Sequence, residues 1–337
     1  MGNRDKSKKV IVTGGGGFVG RALARRLLRD GHQVTAISRK HYPELEKTGI
    51  KSLALDLSTS AEALAEQFAA ANAVFHVAAK VEMWGAYDDF FATNVIGTRN
   101  VIAACKAAKV PYLIFTSSPS VIAGGQDLCG VDEKQPYPEK HLAHYPATKM
   151  IAEQEVLAAD SEDLFTVALR PHLIFGPGDT NLVPTILERA RQGRLVQIGS
   201  GENKTDITFI EDCVSAHIAA WETLTNNPSA CRGKAYFISQ GEPVNMWQWI
   251  NQILTYKQLP PLKRKIPARL AYGIACLAET VCKVLPKKEP FLTRFLVEEM
   301  VTSHYFDISA AKRDLGFKPK FSVRQAMQIT FGSSASG

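Results

Sequence analysis

The chain has 337 residues, 45% hydrophobic and 22% charged content, and a formal net charge of +7. That is the profile of a soluble globular protein with one large domain and a smaller lobe, not of a disordered or fibrous chain. The positive excess is spread along the chain and favours anionic cofactors, acidic substrates or anionic membrane surfaces. No nucleic-acid motif accompanies it.

Residues 1–9 are basic and lead straight into a short strand, with no apolar stretch of signal-peptide length, so a secretory signal is not expected. The predicted elements then alternate. Lys9–Thr13 is a buried strand. Phe18–Arg29 is a helix with Val19, Leu23 and Leu27 on one face, stopped at Asp30-Gly31. Gln33–Ser38 and residues 51–55 are the second and third strands. Residues 61–71 form an alanine-rich helix, 73–77 the fourth strand, and 88–108 a long helix or two in succession. Residues 112–117, a helix over 147–158, and a strand over 165–170 complete the series.

Such alternation predicts an α/β fold, a Rossmann-type doubly wound parallel sheet with ligands at the strand C-termini. The dinucleotide domain is expected over 1–171. Beyond it the alternation breaks at Pro171, Pro177 and Pro184. A helix over 185–192, a β-like stretch over 205–209, a helix over 210–224 and a strand over 234–239 follow. A smaller, mostly helical, discontinuous substrate lobe is therefore expected over 172–330, with segments near 205–240 returning to the first domain. The six cysteines, Cys105, Cys129, Cys213, Cys231, Cys276 and Cys282, form no C-x-x-C pair and no metal-ligand spacing with histidine. They read as reduced thiols of a cytoplasmic protein, with no metal site.

Residues 13–20 read TGGGGFVG, between a strand and a helix. That context suits a pyrophosphate-binding turn. Gly14 allows the tight turn, Gly17 lets backbone N–H groups approach phosphate, and Gly20 lets the helix, entered through Phe18 and Val19, pack against the strand. The helix N-terminus then favours the anion. An acid usually ends the second strand where a ribose 2′-OH is bound. Here the strand ends Ile37-Ser38-Arg39-Lys40. Arg39 can pair with a 2′-phosphate and Ser38 can donate to it, so NADP(H) is expected over NAD(H). The alternative reading leaves Arg39 and Lys40 as solvated loop charges. Asp56 and Leu57 are expected to flank the adenine, and Ala78 and Ala79 to pass beneath the cofactor.

Hydride transfer to a ketone needs a proton donor. HYPATK places Tyr145 and Lys149 at i and i+4, on one helix face. An ammonium nearby lowers a phenol from its ordinary pKa of about 10 and makes it a usable acid. Ser118 in FTSSPS emerges at the sheet's ligand edge and can hold the substrate oxygen, with Ser117 and Ser120 as alternatives.

Together, TGGGGFVG, Asn94 in FATNVIGT, FTSSPSV, YPATK and LRPHLIFGPGD resemble the extended short-chain dehydrogenase/reductase superfamily over nearly the whole chain. Within it the chain is similar to the 3β-hydroxysteroid dehydrogenase branch. HYPEL, WGAYDDF, TSSPSV, ARQGRL and PFLTRFL resemble bacterial reductases of long-chain olefin biosynthesis more closely still. The resemblance implies NADPH-dependent reduction of 2-alkyl-3-oxoalkanoic acids to 3-hydroxy acids. It implies that Asn94 positions the active site, that Pro171 lines the nicotinamide, and that the helices near 88–108 and 147–158 form a homodimer interface. Sterol-4-carboxylate or steroid 3-dehydrogenation, sugar-nucleotide epimerisation and non-enzymatic NADP sensing stay open. Val81, Met83, Trp84, Tyr87, His172 and Leu173 are expected at the substrate pocket, or else in ordinary core packing.

Residues 268–285 are mostly apolar, interrupted by Glu279 and Lys283, and flanked by Lys263, Arg264, Lys265, Lys287 and Lys288. They are too short and too interrupted for a confident membrane span. They suit a helix roofing the pocket, a peripheral membrane contact, or docking to an enzyme of the same pathway.

Overall fold

The structure is a computed structural model that describes residues 7–285 and 289–332. Seven strands form the central sheet: β1 (Lys9–Thr13), β2 (Gln33–Ser38), β3 (Lys51–Ala54), β4 (Ala73–His76), β5 (Tyr112–Thr116), β6 (Phe165–Pro171) and β7 (Lys234–Ile238). All pair in parallel, in the order β7-β6-β5-β4-β1-β2-β3. The order reverses between β1 and β4. At that switch point the loops diverge and leave a crevice at the C-terminal edge.

Helices cover both faces: α1 (Phe18–Arg29), α2 (Ala61–Phe68), α3 (Gly97–Ala107), α4 (His144–Ala158), α5 (Leu182–Arg191) and α6 (Ile210–Asn226). This coverage explains why β1 reads as a continuous apolar run. Val10 and Val12 join one buried cluster with Leu23, Leu27 and Trp221, while Ile11 joins the opposite cluster with Leu64, Phe68, Val101 and Val156. The fold is thus the Rossmann-type, doubly wound α/β class expected from the strand–helix alternation.

The C-terminal part carries α7 (Met246–Tyr256), α8 (Ala268–Val284), α9 (Arg294–Val301) and α10 (Val323–Phe331). It also holds a small sheet that the sequence reading did not resolve, ordered Val244–Asn245, Lys204–Thr205, His304–Phe306 and Leu128–Val131. The segment near 234–238 does return to the main sheet, where Lys234 pairs with Val167 on β6. Among the described residues, no helix is long and apolar enough to cross a membrane.

Several boundaries differ from those expected. Residues 88–108 are two α-helical pieces joined by a π-helical turn, Phe91–Ile96. The helix expected over 61–71 ends at Phe68, because Ala70 has left-handed backbone (φ 58). Helix α4 begins at His144, three residues earlier than expected, so Tyr145 lies inside its first turn.

Candidate active site

The glycine run is a steric requirement first. Gly14 has φ +70, and a Cβ there would stand 2.8 Å from the Ala78 backbone. The loop after β1 therefore lies directly on the loop after β4. A Cβ at Gly15 would meet Ala36, one at Gly16 the Tyr42 ring, and one at Gly20 the Gly14 carbonyl. Gly17 is different. It N-caps α1 without a side-chain hydrogen bond, no acid occupies the first helical turn, and its missing Cβ meets only Gly14 O at 3.3 Å. An uncapped helix N-terminus with open backbone N–H groups is an anion site.

A cleft of about 840 Å³ starts there and runs across the sheet edge. Gly14, Gly17, Phe18, Val19 and Gly20 line its floor. Ser38, Arg39, Asp56 and Leu57 line one end; Ala78, Ala79 and Pro171 line the middle; Ser118, Tyr145 and Lys149 line the far end. The cleft thus fits an extended dinucleotide whose phosphates lie on α1. Ser38 Oγ accepts the Gly16 N–H at 2.9 Å, tying the glycine loop to the end of β2. Tyr42, Thr93, Asp179 and Asn181 also line the cleft; the sequence reading gave them no role.

At the far end, Ser118 rather than Ser120 faces the cleft. Its Oγ accepts the Ser120 N–H at 3.2 Å and the Ser120 hydroxyl at 2.9 Å. Its own proton goes to Tyr145. Ser120 does not line the cleft; Ser117 does, and its hydroxyl is buried with no partner among the described residues, so it stays an alternative to Ser118. Tyr145 and Lys149 stand one turn apart on α4. Lys149 is 2% exposed; its Nζ donates to Thr116 O at 2.7 Å and sits 3.9 Å above the Phe115 ring. Burial lowers its pKa to about 7, opposed by the charge of Glu153. Burial raises the Tyr145 phenol above its ordinary value; a hydrogen bond with Ser118 pulls it down and the charge of Glu299 adds to the rise. The lowering by Lys149 expected from the i, i+4 spacing is not what the geometry gives, because the ammonium is committed to Thr116 and Phe115.

Asn94 does not line the cleft. It is buried in the π-helical turn, where its Oδ1 accepts Lys80 N–H at 2.8 Å and its Nδ2 donates to Lys80 O at 3.1 Å and Thr148 Oγ1 at 3.0 Å. Thr148 in turn donates to His144 O at 2.8 Å. The amide therefore joins the loop after β4 to the turn that carries Tyr145. His76 extends this network: its Nδ1 bonds Thr13 Oγ1 at 2.7 Å and its Nε2 bonds Thr98 Oγ1 at 2.9 Å. Burial lowers its pKa to about 3, so it is neutral at neutral pH. Behind Lys149, Glu153 receives a bidentate ion pair from Arg170 (2.9 and 2.6 Å) and the Tyr137 hydroxyl at 2.7 Å.

The expected substrate residues are divided. Val81 and Leu173 line the main cleft, and Leu173 carries a left-handed φ of 40. Met83 and Trp84 line a separate small cavity with Phe90, Leu142, His144, Glu279 and Phe295. Tyr87 is exposed, its ring edge 5.4 Å from His144. His172 lines neither cavity. It is buried against Phe306 (5.4 Å) and His304, and burial lowers its pKa to about 3.

The sequence pattern of the 3-beta hydroxysteroid dehydrogenase/isomerase family matches residues 11–267. The chain belongs to that family. A 2-alkyl-3-oxoalkanoate reductase of Stenotrophomonas maltophilia is 46% identical over 97% of this chain and 99% of that protein. A decarboxylating sterol-4-alpha-carboxylate 3-dehydrogenase of Mus musculus is 34% identical over 97% of this chain and 91% of that one. The fold also matches that of MoeE5 in complex with UDP-glucose and NAD, with TM-score 0.74, 24% identity, and coverage of 96% and 97%. As a family member the chain is an oxidoreductase acting on an alcohol–ketone pair.

Proposed function

We propose that the protein is an NADPH-dependent reductase of 2-alkyl-3-oxoalkanoic acids, yielding 2-alkyl-3-hydroxyalkanoic acids. The convergence of Ser118, Tyr145 and Lys149 at one end of a dinucleotide-shaped cleft carries this reading. The 46% identity with the Stenotrophomonas maltophilia reductase supports the substrate class over a sterol. Arg39 and Ser38 at the other end, with no acid closing β2, support a 2′-phosphate.

Nicotinamide, when bound, supplies the hydride. The chain supplies the rest. Ser118, hydrogen-bonded to Tyr145, turns its hydroxyl proton to the substrate C3 oxygen and fixes the carbonyl's direction. Tyr145 donates a proton to that oxygen as negative charge develops on it; in the reverse direction its phenolate removes one. Lys149, held by Thr116 at the same end of the cleft, would hold the nicotinamide ribose. The uncapped N-terminus of α1 holds phosphate.

The stable 2-alkyl-3-hydroxy acid and NADP⁺ test this with purified protein, following absorbance of the reduced nucleotide. Turnover with NADP⁺ well above NAD⁺ is the expected result. Turnover confined to a 4-carboxysterol and NAD⁺ would overturn both the substrate and the cofactor assignments. Exchange of a nucleotide sugar without net reduction would point to an epimerase.

A further inference from the structure

Helix α8 is unusual in what it turns outward. Its inner face packs through Ala271, Ala275, Glu279 and Cys282, all buried. Its outer face carries Leu270, Leu277, Val281 and Val284, of which Leu277 is 67% and Val284 75% exposed. At about 100° per residue these four fall within about 60° of arc, nearly opposite the buried row. Phe291, just beyond, is 69% exposed. An apolar stripe of this kind facing water marks an interaction surface.

Charge identifies the partner. Between residues 258 and 285 the basic residues are Lys263, Arg264, Lys265, Arg269 and Lys283, all exposed, and the acid is Glu279 alone. Glu279 faces inward, bonded to Arg294 Nε at 2.8 Å. Lys265 donates to Ser200 O at 2.8 Å. The outward side therefore presents apolar side chains with five exposed cations on the segment, and Glu289, beside Phe291, is the one exposed carboxylate described between residues 258 and 291. Lys287 and Lys288 lie outside the described residues. A twofold contact between copies would bring two net-positive faces together, with one exposed carboxylate per copy against five cations. An anionic lipid surface satisfies both features: headgroups take the cations and the acyl boundary takes the stripe.

We infer that the outer face of α8 seats the protein peripherally on an anionic lipid surface. The inner face of the same helix, through Glu279, lines the cavity shared by Met83, Trp84 and His144, next to Tyr145. A lipid-seated α8 brings that side of the molecule to the membrane, where a long-chain substrate partitions; this last point rests on the proposed substrate class.

Vesicle sedimentation of the full chain, without substrate, tests the seat. The expected result is at least tenfold tighter binding to vesicles of 60% phosphatidylcholine and 40% phosphatidylglycerol than to phosphatidylcholine alone. Binding should weaken as salt is raised, and fall at least tenfold in the Leu277→Asp/Val281→Asp variant. Unchanged nucleotide affinity and circular dichroism in that variant show that the fold and cleft are intact. Equal binding to both vesicles, or undiminished binding by the variant, overturns the proposal. So does a wild-type dimer that the variant dissociates while neither protein binds vesicles, since the face then belongs to a second copy. Failure here leaves the hydroxy-acid turnover assay unaffected, so the two readings fail separately.

Discussion

Asn94 Nδ2 donates to Thr148 Oγ1 at 3.0 Å, and through it one buried amide ties the loop at Lys80 to the turn holding Tyr145. Asn94→Ala removes three hydrogen bonds at once and leaves part-buried backbone groups of Lys80 unpaired. An unpaired buried polar group costs about 1–3 kcal/mol. A displaced proton donor costs up to about a hundredfold in rate. The variant should lose stability in urea and lose kcat by about tenfold to a hundredfold, with nucleotide affinity little changed. An unchanged kcat would show that the amide is only a core contact.

Arg39 lines the adenosine end of the cleft. Hydrogen bonds to charged groups contribute about 1.5–3 kcal/mol, or roughly tenfold to a hundredfold in affinity. Arg39→Ala should therefore raise the KM for NADP⁺ by about that factor and leave the KM for NAD⁺ within about twofold. Equal effects on both nucleotides would make Arg39 a general contact and remove its role in selecting the phosphate.

Three buried histidines set the acid limit of stability. Burial lowers His76 and His172 to about 3 and His217 to about 4. Each stays neutral in the fold while its unfolded counterpart takes a proton below about 6.5. The unfolded state then binds more protons, so stability falls as pH drops from about 6.5 toward 4. Asp206, raised to about 6 by burial, acts oppositely, because its folded form takes up a proton first. From pH 7.5 to pH 5 the histidines cost on the order of 6 kcal/mol together and Asp206 returns on the order of 1, a net loss on the order of 5 kcal/mol. Urea midpoints across this range measure it. A flat profile would mean these histidines titrate together with the folded protein.

Much of this site was legible in the sequence, and what was missed has physical causes. The strands of the central sheet are short apolar runs, and local patterning is enough to find them. The helix expected over 147–158 starts three residues earlier, with Pro146 in its first turn. Proline is tolerated in the first turn, where its missing N–H has no partner, and α4 starts at His144. The π-helical turn at Phe91–Ile96 was hidden, because one extra residue per turn barely disturbs a helical pattern. The sheet joining Leu128–Val131 to His304–Phe306 is built from strands of two to four residues that lie far apart in the chain, so no local signal announces it. Glu153 and Arg170 each read as an ordinary charge; only the fold reveals them as a buried pair.

That pair is 0% and 3% exposed. Removing one partner of a buried ion pair costs about 3–5 kcal/mol, whereas replacing both by apolar groups often costs little. Arg170→Met should lower stability by that amount and shift the urea midpoint accordingly. Arg170→Met/Glu153→Leu should recover part of the loss. A double variant less stable than the single would mean that Glu153 stabilises the fold through a partner other than Arg170, such as Tyr137.

Tyr145→Phe is the most direct measurement. It keeps the ring and removes only the hydroxyl beside Ser118. If Tyr145 is the proton donor, kcat for the 2-alkyl-3-hydroxy acid with NADP⁺ should fall by about a hundredfold to ten-thousandfold. The Kd for NADP⁺ should stay within about threefold. Turnover close to that of the unsubstituted protein would contradict the assignment and move the acid to another group in the cleft.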